Sequence, residues 1–453
     1  MTSAAEQFAS NINLSSFAKA EELKKRLLFT LGALIVYRLG TYIPIPGINP
    51  EAYAAQFQQQ QGGLLGTLNI FAGGAVERMA IFALNIMPYI SASIIMTLMT
   101  AVIPSLEAIK KEGEQGRRQI NQYTRYLTVF LATMQGYFIA VSLQAPNPNG
   151  IPVVSDPGAF FLLTTVVTLV GGVMFLLWLG EQITARGVGN GVSLIIFAGI
   201  VAELPRAAAG LFALGRGTAG GGQTLPGGVV VLVIVMALAL VAFVVFMERS
   251  QRRVIVQYPR RQVGQRMTQG EKSHLPLKLN PSGVIPPIFA SSLLLLPATA
   301  AGAIGENSPE FLQNLQIWFA PGKPMYMGLY ALGIIGFTFV YTSVVFNVED
   351  VSDNLKKYGG FIQGYRPGAR TAEYLDYLMT RLTVIGAAYL TFVCLMPEFL
   401  RANYPTIPVY LGGTSLLIVV SVTLDTVGQI QGHLVAQQYE SLIKKSKLRG
   451  GRK

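Results

Sequence analysis

Pro88-Tyr89-Ile90-Ser91-Ala92-Ser93 recurs far downstream as Pro286-Pro287-Ile288-Phe289-Ala290-Ser291, sharing the frame Pro-x-Ile-x-Ala-Ser. A second pair follows the same logic. Gly191-Val192-Ser193-Leu194-Ile195-Ile196 matches Gly413-Thr414-Ser415-Leu416-Leu417-Ile418, with the frame Gly-x-Ser-Leu and two aliphatics. Either match alone is weak, because Gly, Pro, Ser and Ile are common in membrane helices. Their order carries the information. The first pair falls in the second and seventh apolar runs of the chain, and the second pair in the fifth and tenth. The chain therefore divides into two halves of five runs each.

Those runs lie near 27–43, 79–103, 126–144, 159–180, 188–202, 228–247, 282–303, 325–348, 382–397 and 406–424. A membrane-spanning helix needs ~20 mostly apolar residues, with ~17 as a lower bound. Of the 453 residues, 51% are hydrophobic and 13% charged, against roughly 25% charged in soluble domains. Mean hydropathy is +0.45. These values exclude a disordered, collagen-like or ordinary cytosolic chain. The single cysteine, Cys394, excludes an internal disulfide framework. The fold expected is an all-α membrane protein of ten transmembrane helices. No cleavable signal peptide is expected. Residues 1–26 read as a cytoplasmic segment whose end, Ala20 to Arg26, forms an amphipathic surface helix.

Lys and Arg set the orientation, since cytoplasmic connections carry their excess. They cluster before the first run (Lys19, Lys24, Lys25, Arg26) and between runs 2 and 3 (Lys110, Lys111, Arg117, Arg118, Arg125). They cluster again in loops 249–278 and 349–381, and in the basic tail 428–453. The alternate connections hold few: Arg206, Arg216, Lys323 and Arg401. Both termini are thus expected in the cytoplasm. Because five is odd, two halves sharing one fold must be inverted relative to each other, and such repeats put the functional path at their interface. The halves are 27–203 and 228–427, joined by an external Gly/Pro-rich hinge at 204–227.

The first outer connection contains Leu64-Leu65-Gly66-Thr67-Leu68-Asn69-Ile70-Phe71-Ala72-Gly73-Gly74-Ala75-Val76-Glu77-Arg78. It is apolar, too short to span and broken by Gly73-Gly74. Irregular backbone at membrane depth is tolerated only inside protein or beside a cavity. A re-entrant half-helix and a plain surface loop both fit. Pumps and transporters mark their routes with intramembrane charge, and here only Glu77-Arg78 offers it. A local ion pair between those two is an equally good reading. The repeats point instead to aliphatics. Ile90 maps on Ile288 and Ile196 on Ile418, with Ile86 and Val192 one turn earlier on the same helix faces. Pro88 and Pro286 are expected to kink or widen their helices there. These residues form either a ring that blocks water and ions by dewetting, or ordinary packing and lipid-facing surface.

No Walker loop, metal-ligand cluster or nucleophile–base pair is visible, so no enzyme, cofactor or metal is expected. An ATP-driven process would need an external motor. In the loop between runs 6 and 7, Arg253-Val254-Ile255-Val256-Gln257-Tyr258 reads as a strand, with a hairpin partner expected at 262–268. The loop between runs 8 and 9 carries Tyr365-Arg366-Pro367-Gly368. Basic loops of this kind bind RNA phosphate, an acidic protein or anionic lipid, or merely fix orientation. A secondary transporter for a small solute and a non-conducting scaffold remain rival function classes.

Several runs are specific enough to carry a family likeness. They include 26–47, 71–93, Lys110-Lys111-Glu112-Gly113-Glu114-Gln115-Gly116-Arg117-Arg118, Leu179-Gly180-Glu181-Gln182-Ile183-Thr184, His274-Leu275-Pro276-Leu277-Lys278 and Gly412-Gly413-Thr414-Ser415. Through them the chain resembles the SecY family, the channel subunits of the bacterial Sec protein translocon. The resemblance implies a gated protein-conducting channel in the bacterial plasma membrane, with a lateral gate between spans 2–3 and 7–8. It implies a pore ring at Ile86, Ile90, Val192, Ile196, Ile288 and Ile418, and a plug over about 66–78, including Asn69, Phe71, Gly73, Gly74, Glu77 and Arg78. It implies a docking surface for the SecA ATPase and the ribosome at Arg252, Arg253, Arg260, Arg261 and Arg366. Implied partners are the SecE and SecG subunits, secretory and membrane protein clients with signal sequences, and membrane lipid.

Overall fold

The computed structural model describes residues 21–60, 64–144, 152–216, 227–258, 262–263, 266–267, 272–304, 323–403 and 412–450. Helix dominates: α1 (Glu21–Gly40), α2 (Pro50–Gln60), α3 (Leu64–Ala72), α4 (Met87–Val102), α5 (Pro104–Lys111), α6 (Glu114–Gln144), α7 (Ala159–Arg186), α8 (Gly191–Arg216) and α9 (Gly227–Arg249). Then come strands β1 (Gln251–Gln257), β2 (Gln262–Val263), β3 (Arg266–Met267) and β4 (Lys272–Lys278). The rest is α10 (Ile285–Ile304), α11 (Pro324–Val345), α12 (Val348–Lys357), β5 (Phe361–Ile362), α13 (Ala369–Asn403) and α14 (Gly413–Gly450).

Among the described residues seven helices are long and apolar enough to cross a membrane: α6, α7, α8, α9, α11, α13 and α14. The α4–α5 pair, bent by 99° at its break, makes an eighth if it counts as one span. Helix length and composition among the described residues therefore do not by themselves confirm the ten expected from sequence. The shortfall has local causes. In α1, Lys24, Lys25, Arg26 and Arg38 dilute the apolar stretch, because nothing breaks the helix between 26 and 27 and the expected surface helix is simply its first turn. α10 is apolar and free of Asp, Glu, Lys and Arg over its 20 residues, Ile285–Ile304, and is left out of the seven because only its first part, Ile285–Leu294, is counted. Outward side chains such as Val231, Leu232, Val235 and Leu238 of α9 are exposed. A helix apolar on every side with its leucines outward belongs in lipid.

Other boundaries differ from the sequence reading. The second run was expected to be helical from 79. It begins at Met87, and 73–86 form a chain of turns, with Met79 and Asn85 at positive φ. The helix of the fifth run passes through Pro205 to Arg216, so the expected hinge at 204–227 starts as helix; residues 217–226 lie outside the described set. The tail from 428 continues α14 without interruption. The loop strand β1 pairs antiparallel with β4, Val254 opposite Leu275, and not with 262–268. The short strands β2 and β3 pair with each other, Gln262 opposite Met267 and Val263 opposite Arg266.

The repeats acquire a structural meaning. Pro88 and Pro286 each sit at the second residue of a helix, α4 and α10. They start helices where a missing N–H costs nothing, and do not kink them. Gly191 and Gly413 each open a helix too, α8 and α14. Each is jammed against the preceding span. A Cβ at Gly191 would lie 1.9 Å from the Gly180 carbonyl oxygen, and one at Gly413 1.9 Å from that of Val393. Both halves thus use glycine for the same close backbone approach.

Packing separates the halves. One apolar cluster gathers α1, α3, α7, α8 and the turns 73–86. A second joins α9, α10, α11, α13 and α14. Along one seam α10 packs on α4 and α6, and α11 on α4. On another side α8 packs on α9 and α14. Arg125 and Glu181 tie α6 to α7 at 2.6 Å.

Candidate functional site

The two clusters touch at a narrow place. Among the described residues, the second half enters the first cluster only through buried Ile288, Ile418 and Val422 and half-buried Val284 and Val419. Ile86 and Ile196 are buried in that cluster, and Ile90 and Val192 are half-buried against it. All six residues expected in a ring are therefore in one contiguous apolar body, contributed by four segments from both halves. Ile86 precedes α4, and the Ile90 amide donates to its carbonyl at 3.1 Å, which stacks the two side chains one turn apart. Val192 and Ile196 stand in the same relation on α8.

α3 and the turn after it share this body. Leu68, Ile70, Phe71, Ala72, Ala75 and Val76 are buried in it. α3 ends at Gly73 and Gly74, at φ +62° and +81°, a backbone that glycine adopts without strain. The segment leans on α8: a Cβ at Gly73 would stand 2.9 Å from the Gly199 Cα. Buried Asn69 accepts the Glu77 amide at 2.9 Å, closing the turn. Asn85 donates its side-chain amide to the Phe71 carbonyl, and Tyr37 its hydroxyl to that of Ala72 at 3.4 Å.

Glu77 does not pair with Arg78. It takes a two-pronged bond from Arg206, at 2.7 and 3.1 Å, while Arg78 lies over the Tyr42 ring at 4.2 Å. The local-pair reading fails because Arg206 takes both carboxylate oxygens of Glu77, while Arg78 lies against Tyr42. The sequence reading also missed Glu203, which is 2% exposed within α8, and assigned no role to Arg38 or Arg206. A carboxylate three residues before an arginine inside an apolar helix was the available signal.

The second candidate surface is the loop pair. β1 is central in a three-stranded sheet ordered β4-β1-β5, so it joins the 251–278 loop to the 346–368 loop. Val254 and Val256 face inward onto Ile362, Leu375 and Met379. Arg252 and Arg253 are exposed. Arg366 is exposed as well, and its carbonyl accepts the Thr371 hydroxyl at 2.9 Å. Tyr365 stacks on Tyr374 at 4.2 Å, so the guanidinium projects from a braced turn. Arg260 and Arg261 lie outside the described residues. No group of three or more His, Cys, Asp or Glu suited to a metal occurs among the described residues.

The family model for SecY matches residues 80–427. The chain belongs to the SecY family. Protein translocase subunit SecY of Escherichia coli (strain K12) is 53% identical over 431 residues, covering 95% of this chain and 96% of that protein. The subunit of the same name from Pseudomonas aeruginosa is 52% identical over 434 residues, 95% of each chain. That from Rickettsia bellii is 50% identical over 430 residues, 95% of this chain and 98% of the other. Among solved structures, that of a protein conducting channel aligns with TM-score 0.64 at 16% identity, over 91% of this chain and 93% of that one. Sec61 in a canine ribosome–channel complex from the endoplasmic reticulum gives 0.63 at 16%, over the same shares. At that identity they establish the fold of this SecY-family chain and no more.

Proposed function

We propose that this chain is a gated protein-conducting channel of the bacterial plasma membrane, a transport subunit and not an enzyme. It passes unfolded secretory polypeptides across the bilayer and releases transmembrane segments sideways into lipid. The observation that carries this reading is the apolar body at the meeting of the halves, with six branched aliphatics and the re-entrant segment within it. A dry waist of that kind excludes ions and yields around an extended chain. The segment 66–78 is its plug. The α4/α6–α10/α11 seam is the lateral gate. SecY-family membership supports all three assignments.

The topology proposed is ten spans in two inverted halves, 27–203 and 228–427, with α1 and α10 completing the count and both termini cytoplasmic. SecE clamps the halves and SecG lies at the periphery. Work comes from SecA or the translating ribosome, docked on the sheet-braced loops through Arg252, Arg253, Arg260, Arg261 and Arg366.

The deciding experiment is a site-specific crosslink. A stalled secretory chain should react with photoreactive residues at Ile90 and Ile288, and not with one at outward Leu238. Absence of ring crosslinks would return the chain to the solute-transporter or scaffold class. The docking assignment has its own test. Arg366→Glu should lower SecA-driven export by about tenfold, the scale of losing one interfacial charge contact, with the membrane level unchanged. Export equal to wild type removes Arg366 from the docking surface.

A further inference from the structure

The plug as packed here is held by more than apolar contact. Four charged side chains form a circuit that leaves the re-entrant segment and returns to it. Glu77, on the turn after α3, is gripped by both prongs of Arg206. Arg206 lies 3.9 Å from Glu203, one turn before it on α8. Glu203 lies 4.0 Å from Arg38 of α1. Arg38 closes the circuit by donating to the Gly73 carbonyl. Two carboxylates face two guanidiniums, and a third guanidinium, that of Arg78, stands close by, its nitrogens 3.2 Å from where a Cβ at Gly74 would lie.

Burial makes the circuit asymmetric. The Glu203 side chain is 3% exposed and that of Glu77 10%, whereas Arg206 is 56% exposed. Oε2 of Glu203 is buried with no hydrogen-bond partner among the described residues, so only the nearby guanidiniums offset its charge. A buried carboxylate that loses its cation is strongly destabilising, whereas an intact pair is nearly neutral. The two-pronged geometry adds direction to the attraction. Gly74 sits beside this cluster, where a Cβ would meet Glu203 Oε1 at 2.5 Å, so the segment approaches the acid as closely as glycine allows.

From this arrangement we infer that Arg206, Glu203 and Arg38 are plug-positioning residues: an ionic latch from α8 and α1 that biases residues 66–78 toward the seated state. The latch rests on the plug reading above and adds to it the residues that set how readily the plug leaves. Unseating separates Glu77 from Arg206 and frees the Gly73 carbonyl from Arg38. An arriving polypeptide must supply that separation, and apolar packing alone would not demand it.

The test uses the chain assembled with its membrane partner subunits in planar bilayers, reading resting ion conductance per channel. Arg206→Glu should raise the leak about tenfold or more, on the scale at which a buried pair shifts a two-state balance. The swap of Glu77→Arg with Arg206→Glu should bring it back to within about threefold of wild type, as coupled neighbours do in a double-mutant cycle. Glu77→Gln, which keeps shape and hydrogen bonding, should give a smaller rise and serves if Arg206→Glu fails to accumulate. A leak unchanged in both single variants overturns the latch, as does a swap no better than Arg206→Glu. Deletion of 66–78 separates the two ideas. A raised leak on deletion with silent charge variants leaves the plug standing and the latch refuted. A silent deletion refutes both.

Discussion

Ile288→Asn and Ile418→Asn should each raise resting ion conductance by about tenfold or more and let weakly apolar signal sequences open the channel. Ile418 is 1% exposed and Ile288 8%, and both reach across from the second half into the first half's core. An amide put there has no partner built for it, and a buried amide without one costs about 1–3 kcal/mol. It recovers that cost by drawing water into the waist. A constriction that works by dewetting fails once it is wetted, and each ~1.4 kcal/mol is a tenfold change in population. The same exchange at Leu238, exposed on α9, should leave conductance unchanged at equal membrane level. Conductance at the wild-type value in both ring variants would mean that these isoleucines only pack.

Gly199→Val should unseat the plug by steric force alone. A Cβ at Gly199 would stand 2.6 Å from the Phe71 carbonyl oxygen, 3.0 Å from the Tyr37 hydroxyl and 3.3 Å from the Gly73 amide nitrogen. The first of these contacts is with backbone, which cannot rotate away. Either α8 or the end of α3 with its turn must move, and α3, nine residues against the 26 of α8, is the shorter of the two. The expected result is a leak raised by about tenfold, the population change that ~1.4 kcal/mol of overpacking produces. A disulfide engineered between Glu77→Cys and Arg206→Cys should form less readily in the Gly199→Val background. Gly32→Val is the control, since a Cβ there meets nothing within 4 Å. Wild-type conductance and unchanged disulfide formation in Gly199→Val would show that the seat has room to spare.

These two variants separate what each level of description supplies. That the six aliphatics share one apolar body was anticipated because aliphatics recur at repeat-related positions, and repetition survives translation into structure without knowledge of the packing. The exposed Arg252, Arg253 and Arg366 were readable for a similar reason: charge in a connection between apolar runs stays in water. The half-helix ending at Gly73-Gly74 was readable because two adjacent glycines stop a helix.

The errors share a cause. Pro88 and Pro286 looked like kinks because proline inside an apolar run reads the same whether it bends a helix or begins one. Which it does depends on turns at 73–86 that are held by tertiary contacts such as the Ile81 amide on the Ile43 carbonyl. The partner of β1 was set by the loop's closure onto Leu375 and Met379, not by the nearest strand-like segment. At α1, charge and apolar length occupy one uninterrupted helix, so length and composition alone do not mark it as a span.

By itself, then, the amino-acid order indicated a membrane-embedded chain with motifs that recur between its first and second halves, since composition and periodicity are one-dimensional properties. Only the tertiary structure decided that Glu77 answers to Arg206, that buried Glu203 approaches Arg38, and that Gly199 lies against the Phe71 carbonyl. Those are contacts between segments distant in the chain. Coulomb attraction and steric exclusion act over a few ångströms of space, and no spacing along the sequence encodes which groups will share them.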